Sequence, residues 1–258
     1  MSEPADEYDD RMLTMLQLIW GDGFLSPGGP QAVRDIVAGI DLDGMRVLDI
    51  GCGLGGLDQV LAGLGRCRVI GIDVAQPLVA RAQTRIQAAG HGGRIEFRRV
   101  EPGPLPFADG SFDLVFGKDS WLHVEDKDSF FREIFRVLRP GGLLAAGDWM
   151  KASGPHSPDM LYFFKMEGLT YFLIPLADYT RKLRQAGFAE VRTLDITERY
   201  GADAHGEHER LKGPLFDAMT RQLGPDSRDH FIEDWHSLTV VLDKGELRPA
   251  RFWAKKLA

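Results

Sequence analysis

Two constellations in this sequence have residue types and spacings suited to chemistry. The first is Asp49-Ile50-Gly51-Cys52-Gly53-Leu54-Gly55-Gly56, followed further on by Asp73. Small residues let a backbone approach a ligand closely, and a helix starting there presents unpaired N–H donors. The run satisfies a dinucleotide fingerprint through Gly51, Gly53 and Gly56, with Asp73 at the spacing of about 20 residues at which an acid meets a ribose. It equally satisfies Asp-x-Gly-x-Gly-x-Gly through Asp49, Gly51, Gly53 and Gly55. Either reading points to an adenosine-containing cofactor, and the loop alone leaves open which one. The second constellation is Asp119 and His123, four residues apart. Histidine changes charge near neutrality and suits a general base. If the segment coils, Asp119 lies on the same face and can orient the imidazole. His156, His205, His208 and His236 lack such a neighbour and read as surface or structural residues. Cys52 serves as a small loop residue, with nothing nearby to favour a thiolate.

These residues need elements to position them. Tyr8 to Trp20 carries apolar residues at near-helical spacing, and Val33, Ile36, Val37 and Ile40 mark a second short helix. A strand–helix alternation then begins. Strands are expected at Met45–Ile50, Arg68–Asp73, Arg94–Val100, Phe112–Phe116 and Leu143–Ala146, with helices over Leu57–Leu64, Pro77–Ala89 and Asp128–Leu138. The alternation of apolar and basic residues in Arg94–Val100 suits a sheet edge. Lys151–Thr170 has an aromatic cluster and is long for a connector, as a lid would be. A helix over Pro175–Ala186, a strand over Phe188–Ile196, a helical insertion over Glu207–Val241 and a last strand at Ala250–Ala254 complete the reading. The expected fold is a doubly wound, Rossmann-like α/β sheet, mostly parallel and seven-stranded. It divides one domain, 1–258, into a helical cap at 1–40, a cofactor-binding core at 45–148, and substrate-side or lid insertions at 149–174 and 198–246.

Taken in order, Asp49-x-Gly-x-Gly, the acid Asp73, Leu105-Pro106-Phe107-x-Asp-x-Ser-Phe112-Asp113-Leu114-Val115 and Leu138-Arg139-Pro140-Gly141-Gly142 resemble the motifs of class I S-adenosylmethionine-dependent methyltransferases. The resemblance covers about Val47 to Ala146. It implies S-adenosylmethionine as cofactor, with Gly51, Gly53 and Gly55 along its methionine part. Asp73, with Val74 beside it, would hold the ribose hydroxyls, and Glu101 and Pro102 would flank adenine, where the family usually has Asp and a small or apolar residue.

The flanks narrow the resemblance. Tyr8, then Gly23-Phe24-Leu25-Ser26-Pro27-Gly28-Gly29, then Lys118-Asp119-Ser120-Trp121-Leu122-His123 resemble the phosphoethanolamine N-methyltransferases and their small-amine relatives. On that resemblance Leu25, Ser26 and Lys118 enclose the cofactor, while Tyr8, Asp119, His123, Trp149 and Tyr171 line the acceptor pocket. Departures fall on the phosphate-binding half. The family's arginine two residues before Tyr171 is Leu169 here, an upstream tyrosine falls at Lys165, and a C-terminal lysine falls within Lys244-Gly245-Glu246. A small amine or amino acid without phosphate therefore stays open.

Methyl transfer from a sulfonium is an in-line displacement that needs a lone pair on the acceptor. An alkylamine with a pKa near ~10 is mostly protonated at neutral pH, so a base is required. His123 is the expected base and Asp119 its orienting partner, with Tyr8 and Tyr171 offering hydroxyls. Rings of Trp20, Trp121, Trp149 and Tyr162 are available for cation–π contact.

Composition removes other classes. The 258 residues contain 44% hydrophobic and 27% charged side chains, with 31 Lys plus Arg against 38 Asp plus Glu, a net charge of −7. That balance disfavours affinity built on nucleic-acid phosphates. So does Gly117-Lys118-Asp119, where base-methylating enzymes carry Asn/Asp-Pro-Pro-aromatic. There is no apolar run of the ~20 residues a membrane span needs, no signal-peptide start, and only two cysteines, so a reducing cytoplasmic setting is expected. The expected partner is a small-molecule acceptor, without nucleic acid, membrane or metal, in a monomer or weak homo-oligomer. The alternative is an O- or C-methyltransferase acting on a secondary metabolite. A nicotinamide oxidoreductase rests only on the Gly51/Gly53/Gly56 spacing, and a non-catalytic binding module is disfavoured by the intact loop, acid and base.

Overall fold

The computed structural model describes residues 9–90 and 93–258. Two short helices, α1 (Asp10–Trp20) and α2 (Gly29–Ile36), precede the alternation β1 (Arg46–Ile50), α3 (Gly56–Leu64), β2 (Arg68–Asp73), α4 (Gln76–Ala88), β3 (Ile95–Arg99) and β4 (Phe112–Lys118). A 3-10 turn (Trp121–His123) leads to α5 (Lys127–Val137) and β5 (Leu138–Lys151). Then come α6 (Pro158–Glu167), α7 (Leu176–Gln185), β6 (Ala189–Asp195), α8 (Thr197–Lys212), α9 (Phe216–Leu223), α10 (Pro225–Asp243) and β7 (Leu247–Lys255).

The strands form one seven-stranded sheet in the order β3-β2-β1-β4-β5-β7-β6. The first five are mutually parallel, and β7 runs antiparallel between β5 and β6. Side chains alternate across a strand, so neighbouring residues serve opposite layers. Val47, Leu114 and Phe116 pack with Val33, Ile36, Leu61, Val79 and Ile86 from α2, α3 and α4. Leu48 and Val115 face the other way, against Phe131 and Ile134 of α5 and Tyr179 and Leu183 of α7. Strands buried on both faces explain the continuous apolar runs read from the sequence. At the edge, β3 buries Ile95 and Phe97 while Glu96 and Arg98 pair on the exposed side.

Two differences from the sequence reading matter. β5 begins at Leu138, which pairs with Phe112 of β4, and runs on to Lys151, where β7 pairs with it from Leu143↔Lys255 to Lys151↔Leu247. The helical insertion begins at Thr197 rather than Glu207. Gly201 and Gly206 weaken local helix propensity there, but Tyr200, Ala204, His208 and Leu211 bury one stripe against neighbouring helices. Two satellite cores then stand over the sheet. Trp149, Met160, Phe163, Tyr200 and Leu238 join β5 to α6, α8 and α10, while Met15, Ile19, Leu211, Met219, Phe231 and Trp235 join α1 to α8, α9 and α10. Among the described residues no helix is long and apolar enough to cross a membrane.

Candidate active site

In an open α/β sheet, ligands bind beyond the carboxyl ends of strands where the strand order reverses. Here that point lies between β1 and β4, flanked by the glycine loop on one side and Lys118-Asp119-Ser120 on the other. Gly51 and Cys52 donate backbone N–H groups to Ile72 O at 2.8 and 3.1 Å, which ties the loop to the end of β2. Gly53 lies at φ +53°, and its N–H donates to Asp73 Oδ2 at 3.0 Å, while Ala75 N–H donates to Asp73 Oδ1 at 3.0 Å. Each carboxylate oxygen keeps further acceptor capacity, which suits a vicinal diol. A Cβ on Gly51 would collide with Ser120, and one on Gly55, at φ +78°, with Phe97. Opposite, Leu25 covers Gly53 and Lys118 Nζ donates to Ser26 Oγ at 3.0 Å and pairs with Asp119. The structure thus gathers Leu25, Ser26, Gly51, Gly53, Gly55, Asp73 and Lys118 around one loop. Val74 is exposed beside Asp73, and Glu101 and Pro102 face solvent beyond β3, with Glu101 paired to Arg99.

Beneath the loop lie two carboxyls that the motif reading did not treat as a pair. Asp49 and Asp58 are wholly buried, and among the described residues their carboxyl oxygens have no hydrogen-bond partner of good geometry. Burial pushes Asp58 up to about 7 and Asp49 well above the usual carboxylate range, with the charge of Asp58 raising Asp49 and that of Asp73 raising both. The pair keeps a proton between them at neutral pH. Because the native state binds a proton that the unfolded chain releases near 4, stability is expected to fall as pH rises from about 4 through 7. For one proton the slope approaches ~1.4 kcal/mol per pH unit. Asp58→Asn, whose amide donates to Asp49 without titrating, should flatten the dependence of Tm on pH between 5 and 8. An unaltered slope would remove the pair as its source.

The second part of the site is a cavity bounded by α1, the 3-10 turn, the end of β5, and α6, α8 and α10. Asp119, His123, Trp149 and Tyr171 all line it, as do Trp20, Leu169, Glu167, Tyr200, Asp234 and Trp235. His123 closes the 3-10 turn, and its Nδ1–H donates to Thr170 O at 2.8 Å. That bond places the basic lone pair on Nε2. The rings of His123 and Tyr171 lie 5.4 Å apart, and those of Trp149 and Tyr171 lie 6.0 Å apart.

Three sequence expectations change here. Asp119 and His123 share the cavity but not a helical face: Asp119 sits at φ +50° before the turn and its carboxylate pairs with Lys118, while the carbonyl of Thr170 holds the imidazole. Tyr162 lies outside the cavity; it is 42% exposed and its hydroxyl donates to Glu233 at 2.9 Å. Trp121 is a packing residue, buried against Phe130 and Phe252 with Nε1–H on Ile50 O at 3.1 Å. Tyr8 falls outside the described residues. Sequence reading missed Glu167, Tyr200 and Asp234. A signal existed for Asp234, which shares a helical stripe with Phe231, Trp235 and Leu238.

Comparison with known proteins agrees with this geometry. Residues 48–146 match the family described as a methyltransferase domain. The chain is 29% identical over 97% of its length to phosphoethanolamine N-methyltransferase 1 of Triticum aestivum, covering 49% of that protein. It is 31% identical over 63% of its length to the O-methyltransferase rstn1 of Aspergillus nomiae, covering 72% of it. The chain spans about half the length of the plant relatives it matches. The fold superposes on phosphoethanolamine N-methyltransferase 2 of Haemonchus contortus, solved with phosphomonomethylethanolamine and S-adenosylhomocysteine. That superposition has a TM-score of 0.90 and 23% identity, covering 100% of this chain and 61% of the other. With the glycine loop, the strand-end acid and the strand order in place, the chain belongs to the S-adenosylmethionine-dependent methyltransferase family.

Proposed function

We propose that this chain methylates the nitrogen of a small amine with S-adenosylmethionine as methyl donor. The observation that carries this reading is a histidine, fixed through Nδ1, in a cavity that also contains Asp119 and Ser26, the two residues Lys118 binds at the mouth of the glycine loop. The residues present fit the cofactor: Asp73 still has acceptor capacity, and Gly53 stands where a Cβ would come within 3.1 Å of Leu25. Bound there, S-adenosylmethionine supplies an electrophilic methyl carbon on a sulfonium. Asp73 would hold the ribose, and Leu25, Ser26 and Lys118 would close the opposite side.

His123 Nε2 would take the proton from the entering ammonium and so leave the nitrogen lone pair free for the methyl group the cofactor supplies. The bond to Thr170 stabilises the imidazolium formed. Trp149 and Tyr171 present ring faces to a cationic amine. The aromatic walls from α1, β5, α8 and α10 exclude water from the reacting groups. The plant relatives named as N-methyltransferases support an acceptor nitrogen, as do the carboxyls lining the cavity.

Incubation with S-adenosylmethionine and a panel of small amines and phenols, read by product mass, tests the reading. Methyl gain on amines is the expected result. Methyl gain confined to hydroxyls or acidic carbons would overturn it.

A further inference from the structure

The chemistry of the acceptor cavity selects among amines. A phosphate-bearing acceptor needs cationic or dense N–H donors. Among the described residues lining this cavity there is no lysine or arginine, and segment 1–8 contains neither. Leu169 presents an aliphatic side chain to the cavity. Lys165 faces solvent on α6, and Lys244 is exposed and paired with Asp159. Arg199 and Arg251, in the adjoining cleft, are both held by Asp35 at 2.9 Å.

What the cavity does present is negative. Asp234 is 3% exposed and lines it, and among the described residues its Oδ1 has no hydrogen-bond partner. Glu167 lines it too and accepts from the Tyr171 hydroxyl at 3.1 Å. Loss of hydration pushes Glu167 up to about 7, against the hydrogen bond from Tyr171, and pushes Asp234 well above the usual carboxylate range, where the charge of Glu167 raises it further. A buried carboxylate without a partner is costly, and a bound cation removes that cost. The two carboxyls stand apart from His123: the Tyr171 ring lies beside His123, and its hydroxyl reaches Glu167. The cavity therefore holds a base and, across Tyr171 from it, the Glu167 carboxyl, with Asp234 lining the same space.

We propose, resting on the amine reading above, that the acceptor is a small alkylamine carrying a second positive charge in place of a phosphate, and that Glu167 and Asp234 bind that second charge. One nitrogen is then deprotonated and methylated at His123 while the other remains an ammonium against the carboxyls. Trp20 and Trp235 line the same cavity and offer ring faces to it.

The test compares putrescine, the equal-length monoamine butylamine, and phosphoethanolamine. It reads turnover with S-adenosylmethionine and calorimetric binding to the protein with S-adenosylhomocysteine. Putrescine should exceed phosphoethanolamine in both by about tenfold or more, the size of one lost charged contact. Asp234→Asn and Glu167→Gln should each cut the preference for putrescine over butylamine by about tenfold, S-adenosylhomocysteine affinity serving as the control for folding. Preferred binding or methylation of phosphoethanolamine would overturn the proposal while leaving N-methylation standing. So would an unchanged preference in both variants. Tight putrescine binding with no amine methylated would instead support the acid pair and overturn the amine-methylation reading.

Discussion

Replacing His123 with alanine should lower kcat by roughly 10²–10⁴-fold, the usual size of a general-base contribution, and leave affinity for S-adenosylhomocysteine within a few-fold. The expectation rests on position: His123 lines the cavity that Asp119 and Ser26 join to the glycine loop, with Nδ1 committed to Thr170 O at 2.8 Å. An Asn at this position could still donate to Thr170 O but offers no basic nitrogen, so it should not restore the rate. Asp119→Asn supplies an internal comparison. Its carboxylate pairs with Lys118, which also donates to Ser26 at 3.0 Å. Its loss should therefore act on the cofactor side of the site, and the effects of the two substitutions should multiply in the double variant. Groups that act as one unit are instead grossly non-additive. Single-turnover rates of the four proteins decide this. A double variant no worse than His123→Ala would restore the direct pairing expected from the four-residue spacing. Full activity of His123→Ala at every pH would remove the histidine as base.

Asp73→Ala should weaken binding of S-adenosylmethionine and its demethylated product by tenfold or more. Two hydroxyl contacts to a carboxylate are at stake, each worth ~1.5–3 kcal/mol. The residue does a second job, since its two oxygens accept from Gly53 and Ala75 N–H and so shape the loop that the cofactor meets. Asp73→Asn separates these roles. An amide oxygen still accepts one of the backbone donors, so the loop is partly kept while the charge facing the ribose is lost. Calorimetry should rank wild type above Asn and Asn above Ala. Equal affinity in all three would show that the end of β2 is not the ribose site.

The core of the fold was legible because its signals are local and consistent. Five apolar strands alternate with amphipathic helices, and glycines stand at the first strand–helix turn, where positive φ is required. β2 was read to the residue, and the alternation in β3 marked it as an edge. β5 was read too short because much of it is specified by its partners: residues 138–142 carry strand-breaking types, and only pairing with β7 extends the strand past Gly147. The start of α8 was hidden by Gly201 and Gly206, whose cost is offset by packing invisible in a local window.

The site divides the same way. Sequence alone determined the glycine loop, Asp73 and the presence of Asp119 and His123 near the end of β4, because chemistry of that kind needs fixed residue types at fixed spacing. It could not determine how His123 is held. A left-handed residue at Asp119 breaks the helical register on which the pairing depended, and the imidazole turns to a carbonyl 47 residues along the chain. Only the tertiary structure turned Tyr162 outward to Glu233 and brought Glu167 from α6 and Asp234 from α10 to one cavity wall. Convergence of that kind is set by how helices pack across the carboxyl ends of the strands, and side-chain contacts between distant segments leave no periodic trace in the chain that makes them.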